Sequence, residues 1–348
     1  MNHANAVTFP IPPEVLLAFV VGLVLWKRAH WLLFRLAWRC SHSGAYRATR
    51  ALVAFLERLP LEAGMRASLW RMELYALSAL GETEAAVAGA RRLVVHARAD
   101  GCAPCANCVV NLFINAGLYL EALSIERGWQ GPAEPQTPHE EQEWALVRFN
   151  LVEAVYNLGG WEAAHARLNA LEEVARRHPF LWNFFPVQRA WILAHTGRGA
   201  EALEALRQVE WRSVHREYRS EVCFTRAAAL LALRRYDEAR QEASAGLKLA
   251  LRASSTRNGL FLLGRIAHAA GRREEALGFF EAGARHLYKG QGGDALLAWG
   301  DCLDELGRHE EAREAWRLVL DRDKQSGAAW EATSRLVNPD RRPSASHL

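Results

Sequence analysis

A short turn recurs along the chain at an almost constant interval, and this repeat constrains the fold more than any other feature. Each unit has a glycine followed five residues later by an alanine, as in Gly117 with Ala122. The turns lie at residues 81, 117, 159, 197, 234, 271 and 307, and Arg234 takes the place of the glycine in one of them. A turn that occurs seven times at intervals of 36 to 42 residues indicates a repeat architecture and argues against two independent globular domains.

The residues between the turns predict pairs of helices. Apolar residues recur three and four positions apart, as at Leu203, Leu206 and Val209, which is the spacing of one helix face. Glycine can adopt the left-handed conformation that ends a helix, and alanine leaves room for a facing helix. Because a two-helix unit cannot bury its apolar face alone, neighbouring units must stack. The predicted fold class is therefore all-α, as a solenoid of helical hairpins.

This pattern resembles the tetratricopeptide repeat family, in which an aromatic residue follows the turn glycine and an alanine occupies the close contact of the second helix. The segments that carry it best are Tyr119–Ala122, Trp161–Ala164, Tyr236–Ala239 and His309–Ala312. The resemblance implies a right-handed solenoid of seven to eight hairpins over residues 44–338. Such arrays bind partner proteins or peptides, which is a property of the fold and does not identify the partner.

Two segments depart from the repeat. The longest interval between turns contains residues 128–143, whose three prolines predict a loop insertion between repeats. After the last repeat, residues 328–337 predict a capping helix and residues 339–348 a disordered tail.

Residues 1–43 are predicted to form a hydrophobic helix that anchors the chain to a membrane. Their uncharged run, residues 15–26, is about 18 Å long as a helix, against about 30 Å for the hydrocarbon core of a bilayer. Either a membrane span or a helix docked on another subunit therefore fits the sequence. Residues 14–39 are expected to contact membrane lipid, and the basic residues after the apolar run predict a solenoid on the cytoplasmic side. This architecture is similar to that of the lipopolysaccharide assembly protein B family, whose two C-x-x-C pairs after the repeats are missing from this chain.

The distribution of charge argues against a nucleic-acid partner. The formal net charge is +4, but residues 1–50 hold six basic residues and one acidic residue, so the rest of the chain carries no basic excess. A nucleic-acid interface needs a basic surface to neutralise phosphates. The sequence also has no phosphate-binding glycine loop, H-E-x-x-H or G-x-S-x-G motif. We therefore predict that the chain is not an enzyme.

Candidate partner-binding residues follow from the resemblance, because the first helices of such hairpins line the concave surface of the array. These candidates are Asn107, Asn111, Asn115, Asn150, Asn157, Trp191, Phe261 and Arg265, and Asp301 and Asp304 continue the series. Three of the asparagines recur four residues apart on one helix face, where their amides can bind an extended peptide backbone. Alternatively, these asparagines are solvated or bonded to neighbouring turns.

The cysteines Cys102, Cys105 and Cys108 are spaced as C-A-P-C-A-N-C. A metal site, for Zn or an Fe–S cluster, requires a fourth ligand, for which His96 is the candidate. Thiol redox chemistry is a second alternative, because a helix N-terminus lowers the pKa of a thiol. If all three are packing thiols, the chain needs no cofactor. The single residues Cys223 and Cys302 are predicted to lie in the core.

Overall fold

The structure, a computed structural model, describes residues 29–41, 45–80, 82–100, 103–128, 137–214, 216–251, 253–284 and 293–337. Within these ranges all regular secondary structure is helical, which confirms the all-α prediction. The chain forms two compact units that divide after Gly89. The first unit contains α1 (29–41), α2 (Tyr46–Leu56), α3 (Ala63–Ala79) and the start of α4 (Thr83–Asp100).

The second unit contains the remaining helices and one short 3-10 helix. Their bounds are α5 (Ala103–Asn115), α6 (Tyr119–Gly128), α7 (Pro138–Asn157), α8 (Trp161–Ala170), α9 (Glu172–Arg177), α10 (Pro179–Trp182), α11 (Phe185–His195), α12 (Gly199–Leu206), the 3-10 helix Arg216–Tyr218, α13 (Arg219–Ala232), α14 (Tyr236–Leu249), α15 (Ala253–Ala269), α16 (Arg273–Ala284), α17 (Gly293–Glu305), α18 (His309–Arg322) and α19 (Gly327–Val337). The predicted capping helix is therefore present as α19.

The predicted turns have the backbone conformation that the repeat requires. The glycines with a left-handed φ are Gly117, Gly159, Gly197, Gly271 and Gly307, with φ of 71°, 87°, 76°, 76° and 76°. Arg234 also has a positive φ, of 58°, so it adopts the turn conformation without being a glycine. The alanines five residues on are at most 1% exposed, and they are Ala86, Ala122, Ala164, Ala202, Ala239, Ala276 and Ala312. Both results confirm the predicted register; Gly81 lies outside the described residues.

The hairpins of the second unit pack as a one-dimensional array. First helices contact the second helix of their own hairpin, and several also contact the first helix of the next hairpin, as α13 contacts α14 and α15. Large rings fill the core between hairpins, and Phe185, Phe224 and Phe280 are at most 2% exposed. Two glycines make room for such rings: a Cβ at Gly264 would lie 2.5 Å from Phe280, and one at Gly300 would lie 2.4 Å from Trp316. The close contacts therefore depend on residues without side chains.

The loop before α19 returns to the first hairpins of the second unit. The Gln325 side chain accepts a hydrogen bond from the Leu120 N–H at 2.9 Å and donates one to the Glu121 carboxylate at 2.9 Å. A Cβ added at Gly327 would lie 3.7 Å from the Cα of Gly159. The end of the array in the second unit thus contacts its beginning.

The loop insertion predicted for residues 128–143 is wrong from residue 138 onwards, where α7 begins. Thr137 caps this helix: its hydroxyl accepts a hydrogen bond from the Glu140 N–H, and the Glu140 carboxylate accepts one from the Thr137 N–H, both at 3.2 Å. Pro138 fits the first turn because its missing N–H would be unpaired there. Residues 129–136 and the predicted tail at 339–348 lie outside the described residues.

In the first unit, α1 packs against α2 and α3. Ala37 of α1 shares a hydrophobic core with Val53, Leu56, Leu69 and Met72, all at most 4% exposed. The first compact unit extends to residue 89, and the boundary after residue 43 stays a prediction from the sequence. Residues 1–28 of the predicted anchor lie outside the described residues. Among the helices that the structure describes, none has the length and apolarity needed to cross a membrane.

Candidate partner-binding surface

Three of the predicted asparagines form one cluster between α5 and α7. The Asn150 amide donates to Asn107 Oδ1 at 2.7 Å, and the Asn111 amide donates to the backbone carbonyl of Asn107 at 3.0 Å and to its Oδ1 at 3.3 Å. All three residues are half-buried. The bonds align the amides and occupy the Asn107 side-chain oxygen, so Asn107 presents mainly its NH₂ group to a partner.

The other two predicted asparagines do not join this cluster. Asn115 is exposed at the end of α5, and the Asn157 amide donates to the backbone carbonyl of Glu153 at 2.9 Å, one turn earlier in α7. This local bond is the alternative that the sequence left open. Asn157 nevertheless shares a face of α7 with Asn150 and Glu153, because the three are spaced at i, i+3 and i+7.

A stack of rings continues from α7 to α11. The Tyr156 ring stacks on Trp161 with centroids 5.0 Å apart, and Trp161 stacks on His195 at 4.8 Å. The predicted residue Trp191 lies on the same histidine at 4.2 Å, with its ring tilted by 44°. Trp161 was not among the candidate residues, although it lies two residues after a turn glycine. Aromatic residues beside successive turns were the signal that could have identified it.

Hydrogen bonds fix the ionisation state of His195 at the end of this stack. Its Nδ1 lies 2.9 Å from the Trp191 carbonyl and therefore donates to it, which leaves Nε2 to accept from Arg265 Nη1 at 3.3 Å. Burial, followed by the charge of Arg265, lowers the pKa of His195 to about 3. The neutral imidazole thus links α11 to Arg265 of α15, another predicted residue.

We use the name inner face for the asparagine cluster, the ring stack with Arg265, and the residues Glu153 and Asn157 of α7, which carries members of both groups. The inner face consists of Asn107, Asn111, Asn150, Glu153, Tyr156, Asn157, Trp161, Trp191, His195 and Arg265. These side chains are half-buried, so they belong neither to the dry core nor to the fully solvated exterior. A surface that combines amides, flat rings and a guanidinium group can hold an extended peptide.

Two other predicted residues lie in the core. Phe261 is 6% exposed and packs against Phe280, with ring centroids 6.4 Å apart. Gly283 of α16 makes room for this ring, since a Cβ there would lie 3.0 Å from it. Asp301 is 8% exposed and accepts hydrogen bonds from Arg335 at 2.6 and 3.0 Å. Packing thus removes both residues from the predicted partner surface.

The cysteine motif lies only partly within the described residues. Cys105 is buried and Cys108 is half-buried on α5, whereas Cys102 and the side chain of His96 lie outside the description. Among the described residues, no three His, Cys, Asp or Glu side chains lie close enough together to hold a metal ion. The metal and redox alternatives therefore stay predictions. Cys223 and Cys302 are buried in the core, as predicted.

Comparison with known proteins agrees with this geometry. The family model of the tetratricopeptide repeat matches residues 294–326, which include most of the α17–α18 hairpin. No curated protein matches the sequence. Among solved structures, the chain is similar to a Rap protein complexed with Competence and Sporulation Factor, with a TM-score of 0.53, 13% identity, and coverage of 89% of this chain and 81% of that one. It is also similar to a tetratricopeptide repeat protein from Parabacteroides merdae, with a TM-score of 0.43, 11% identity, and coverage of 89% and 100%.

The matched hairpin has the same turn as the hairpins that precede it in the second unit. Gly307 has a left-handed φ of 76°, and Ala312, five residues later, is fully buried. The family model thus identifies one tetratricopeptide repeat, at residues 294–326, and the hairpins that precede it in the second unit have the same turn geometry. The chain therefore contains a tetratricopeptide repeat within a fold of similar helical hairpins.

Proposed function

We propose that the chain is a scaffold or adaptor that holds a segment of a partner protein on the inner face, as part of the assembly of a complex. The observation that carries this proposal is that α7 carries members of two groups of contacts on the inner face. The amides of Asn107, Asn111 and Asn150 are hydrogen-bonded to one another, and the rings of Tyr156, Trp161 and His195 stack in succession as far as Arg265. A buried core has no need of such polar contacts, whereas a recognition surface combines aromatic anchors with directional hydrogen bonds.

The fold supports the same proposal. Stacked helical hairpins present an extended surface to a partner, and the Rap protein that shares this fold was solved in complex with Competence and Sporulation Factor. We infer that the inner face of this chain serves the corresponding purpose for a protein or peptide partner.

A photo-cross-linking experiment in cells tests this proposal. A photoreactive phenylalanine analogue at Asn111, on the inner face, should capture a partner from the full-length chain. The same analogue at Trp330, which is 76% exposed on α19, is the matched control. Capture from position 330 and none from position 111 would contradict the proposal.

We also propose that residues 14–39 attach the chain to a membrane, with the repeats on the cytoplasmic side. The support comes from the outward face of α1, where Trp31 is 51%, Leu32 62% and Leu36 47% exposed. The Arg35 guanidinium lies 4.4 Å from the Trp31 ring centroid. Exposed tryptophan and leucine beside arginine are typical of helices that lie at a lipid–water interface.

Carbonate extraction of membranes tests this attachment. Since Ala37 belongs to the core of the first unit, the shortened chain should lack residues 1–28 and keep α1. We expect the full-length chain to stay with the membrane and the shortened chain to be released more readily, and Leu32→Asp should release it further. Equal release of all three proteins would contradict membrane attachment, and protease protection of the repeats in intact cells would support the cytoplasmic side.

A further inference from the structure

Glu153 is an acidic residue of the inner face for whose carboxylate the described part of the chain shows no counter-charge. In the part of the chain that the structure describes, no arginine, lysine or histidine pairs with it, and its neighbour in charge is the carboxylate of Glu221. Burial, followed by the charge of Glu221, raises the pKa of Glu153 to about 7. An enclosed carboxylate without a partner is unfavourable, and a cation would relieve that cost.

Several exposed glutamates beside the turns show the opposite arrangement. At the turns of residues 197, 234 and 307, an arginine and a glutamate three residues after it form an ion pair. These pairs are Arg198–Glu201 at 2.6 Å, Arg235–Glu238 at 2.5 Å and Arg308–Glu311 at 2.6 Å. Arginines thus pair with these exposed glutamates, whereas no described arginine pairs with Glu153.

The surroundings of Glu153 also contain further carboxylates. After burial, the charges of Asp323, Glu153 and Asp294 raise the pKa of Tyr119, and those of Glu153, Glu221 and Asp294 act in the same direction on Tyr156. These carboxylates come from α7, α13, α17 and the loop after α18, so they act together on one region of the second unit. Arg257 and Arg265 oppose them, and Arg265 is already bonded to His195.

The ring stack adjoins this acidic region. Tyr156 lies three residues after Glu153 on α7, which places both on one side of the helix, and it stacks directly on Trp161. Tryptophan and tyrosine rings attract ammonium and guanidinium groups through their π electrons, and the attraction is greater where water is partly excluded. A carboxylate next to aromatic rings suits a basic side chain with an apolar stem.

We propose that the segment bound by the inner face carries a lysine or arginine side chain, which pairs with Glu153 beside Tyr156. This inference rests on the proposed function and adds the chemistry of the partner to it. The basic group supplies the charge that arginines of the chain supply to the exposed glutamates beside the turns. An acidic segment would meet the repulsion of Glu153, Glu221 and Asp294.

Selection of peptides from a phage-displayed random library on the full-length chain tests this inference. The wild-type chain should enrich peptides that contain lysine or arginine, and Glu153→Gln, which keeps the shape of the side chain, should abolish that enrichment. Glu314→Gln is the matched control, because Glu314 is exposed on α18. A peptide selected on the wild-type chain should bind Glu153→Gln about tenfold or more weakly, since removing one partner of an enclosed charge pair is costly.

The dependence of binding on pH supplies a second measurement that needs no variant. With a pKa of about 7, Glu153 is mostly protonated near pH 6 and ionised near pH 8, so binding of the selected peptide should strengthen about tenfold across this interval. The titratable groups around Glu153 are Glu221, Tyr156 and Tyr119, and Asp294, Asp323 and Arg257 act on these tyrosines. Burial raises the pKa of Asp323 to about 6, so Asp323 titrates at the lower end of this interval. Both tyrosines stay neutral throughout, because their pKa values are raised.

The outcomes separate this inference from the proposed function. Peptides enriched without basic residues, or equal enrichment of basic peptides on Glu153→Gln, would overturn the role of Glu153 and leave peptide binding intact. Absence of enrichment on all proteins would overturn the proposed function as well. Far-UV circular dichroism shows whether each variant is folded, and a wild-type affinity that does not change between pH 6 and pH 8 would also count against Glu153.

Discussion

Gly264 of α15 and Gly278 of α16 belong to one hairpin, but an added methyl group would meet opposite surroundings at the two positions. A Cβ at Gly264 would lie 2.5 and 2.6 Å from two ring carbons of Phe280, whereas a Cβ at Gly278 would have nothing within 4 Å. Both glycines lie inside helices, where alanine is favoured over glycine by about 1 kcal/mol. Both alanine variants thus have the same gain in helix propensity, and their stabilities should differ only because of packing.

The size of the packing effect follows from the contact distances. Non-bonded carbons prefer separations of about 3.5 to 4 Å, so the methyl group at position 264 and the Phe280 ring must move apart by about 1 Å. Phe280 is fully buried against Phe261 and has no free space to enter. Overpacking of this kind costs about 1 to 3 kcal/mol. Gly278→Ala should therefore raise the free energy of unfolding by about 1 kcal/mol. The free energy of unfolding of Gly264→Ala should be about 1 to 3 kcal/mol lower than that of Gly278→Ala.

Urea unfolding followed by far-UV circular dichroism measures this difference. Because repeat arrays can unfold in parts, the midpoints of the wild-type chain and the two variants should be compared under identical conditions. Adding Phe280→Leu to Gly264→Ala removes the clashing ring, so the two substitutions together should cost less than the sum of their separate effects. Equal midpoints for Gly264→Ala and Gly278→Ala would refute the close approach of α15 and α16.

Three further predictions concern the turns, the last helix and the returning loop. Arg234→Gly should raise the melting temperature and increase the free energy of unfolding by about 0.5 to 1 kcal/mol. A left-handed backbone costs a residue with a side chain about 1 to 2 kcal/mol, and the greater freedom of glycine in the unfolded chain offsets part of this gain. A lower melting temperature would contradict this prediction. Arg335→Met should destabilise the protein by about 3 to 5 kcal/mol at neutral pH, because it leaves the buried Asp301 carboxylate without its ion pair. Burial raises the pKa of Asp301, so this variant should lose stability as the pH rises through that pKa and recover it on acidification. A loss of stability that chemical denaturation shows to be independent of pH would contradict this explanation. Gln325→Ala should accelerate amide hydrogen exchange at Leu120, whose N–H it releases, and unchanged exchange would argue against the returning loop.

The turns and helix faces could be predicted from the sequence because each depends on residues close together in the chain. A left-handed turn favours glycine, and a close helix contact favours alanine five residues later, so the register even identified Arg234 as a turn residue. The start of α7 also depends on residues that are close together in the chain. Thr137, Pro138 and Glu140 form a capping box at its first turn, and the prolines of this segment led to the incorrect prediction of a loop.

The candidate binding residues could be predicted only in part. Asn107, Asn111 and Asn150 lie together on the inner face, because neighbouring first helices run side by side. Phe261 occupies an equivalent position in its repeat, but it is buried because Gly283 on the following helix leaves space for its ring. Whether a side chain of one helix stays accessible therefore depends on the residues of the helix that packs against it, which the sequence of the first helix does not specify.

Contacts between distant hairpins were decided by the tertiary structure. His195 and Arg265 are 70 residues apart, and Leu120 and Gln325 are 205 residues apart, yet both pairs are hydrogen-bonded. Their approach results from the stacking of the hairpins and has no counterpart in local periodicity. The sequence by itself determined the hairpins and their order, whereas the stacking of the hairpins decided which charged and aromatic side chains meet on the inner face.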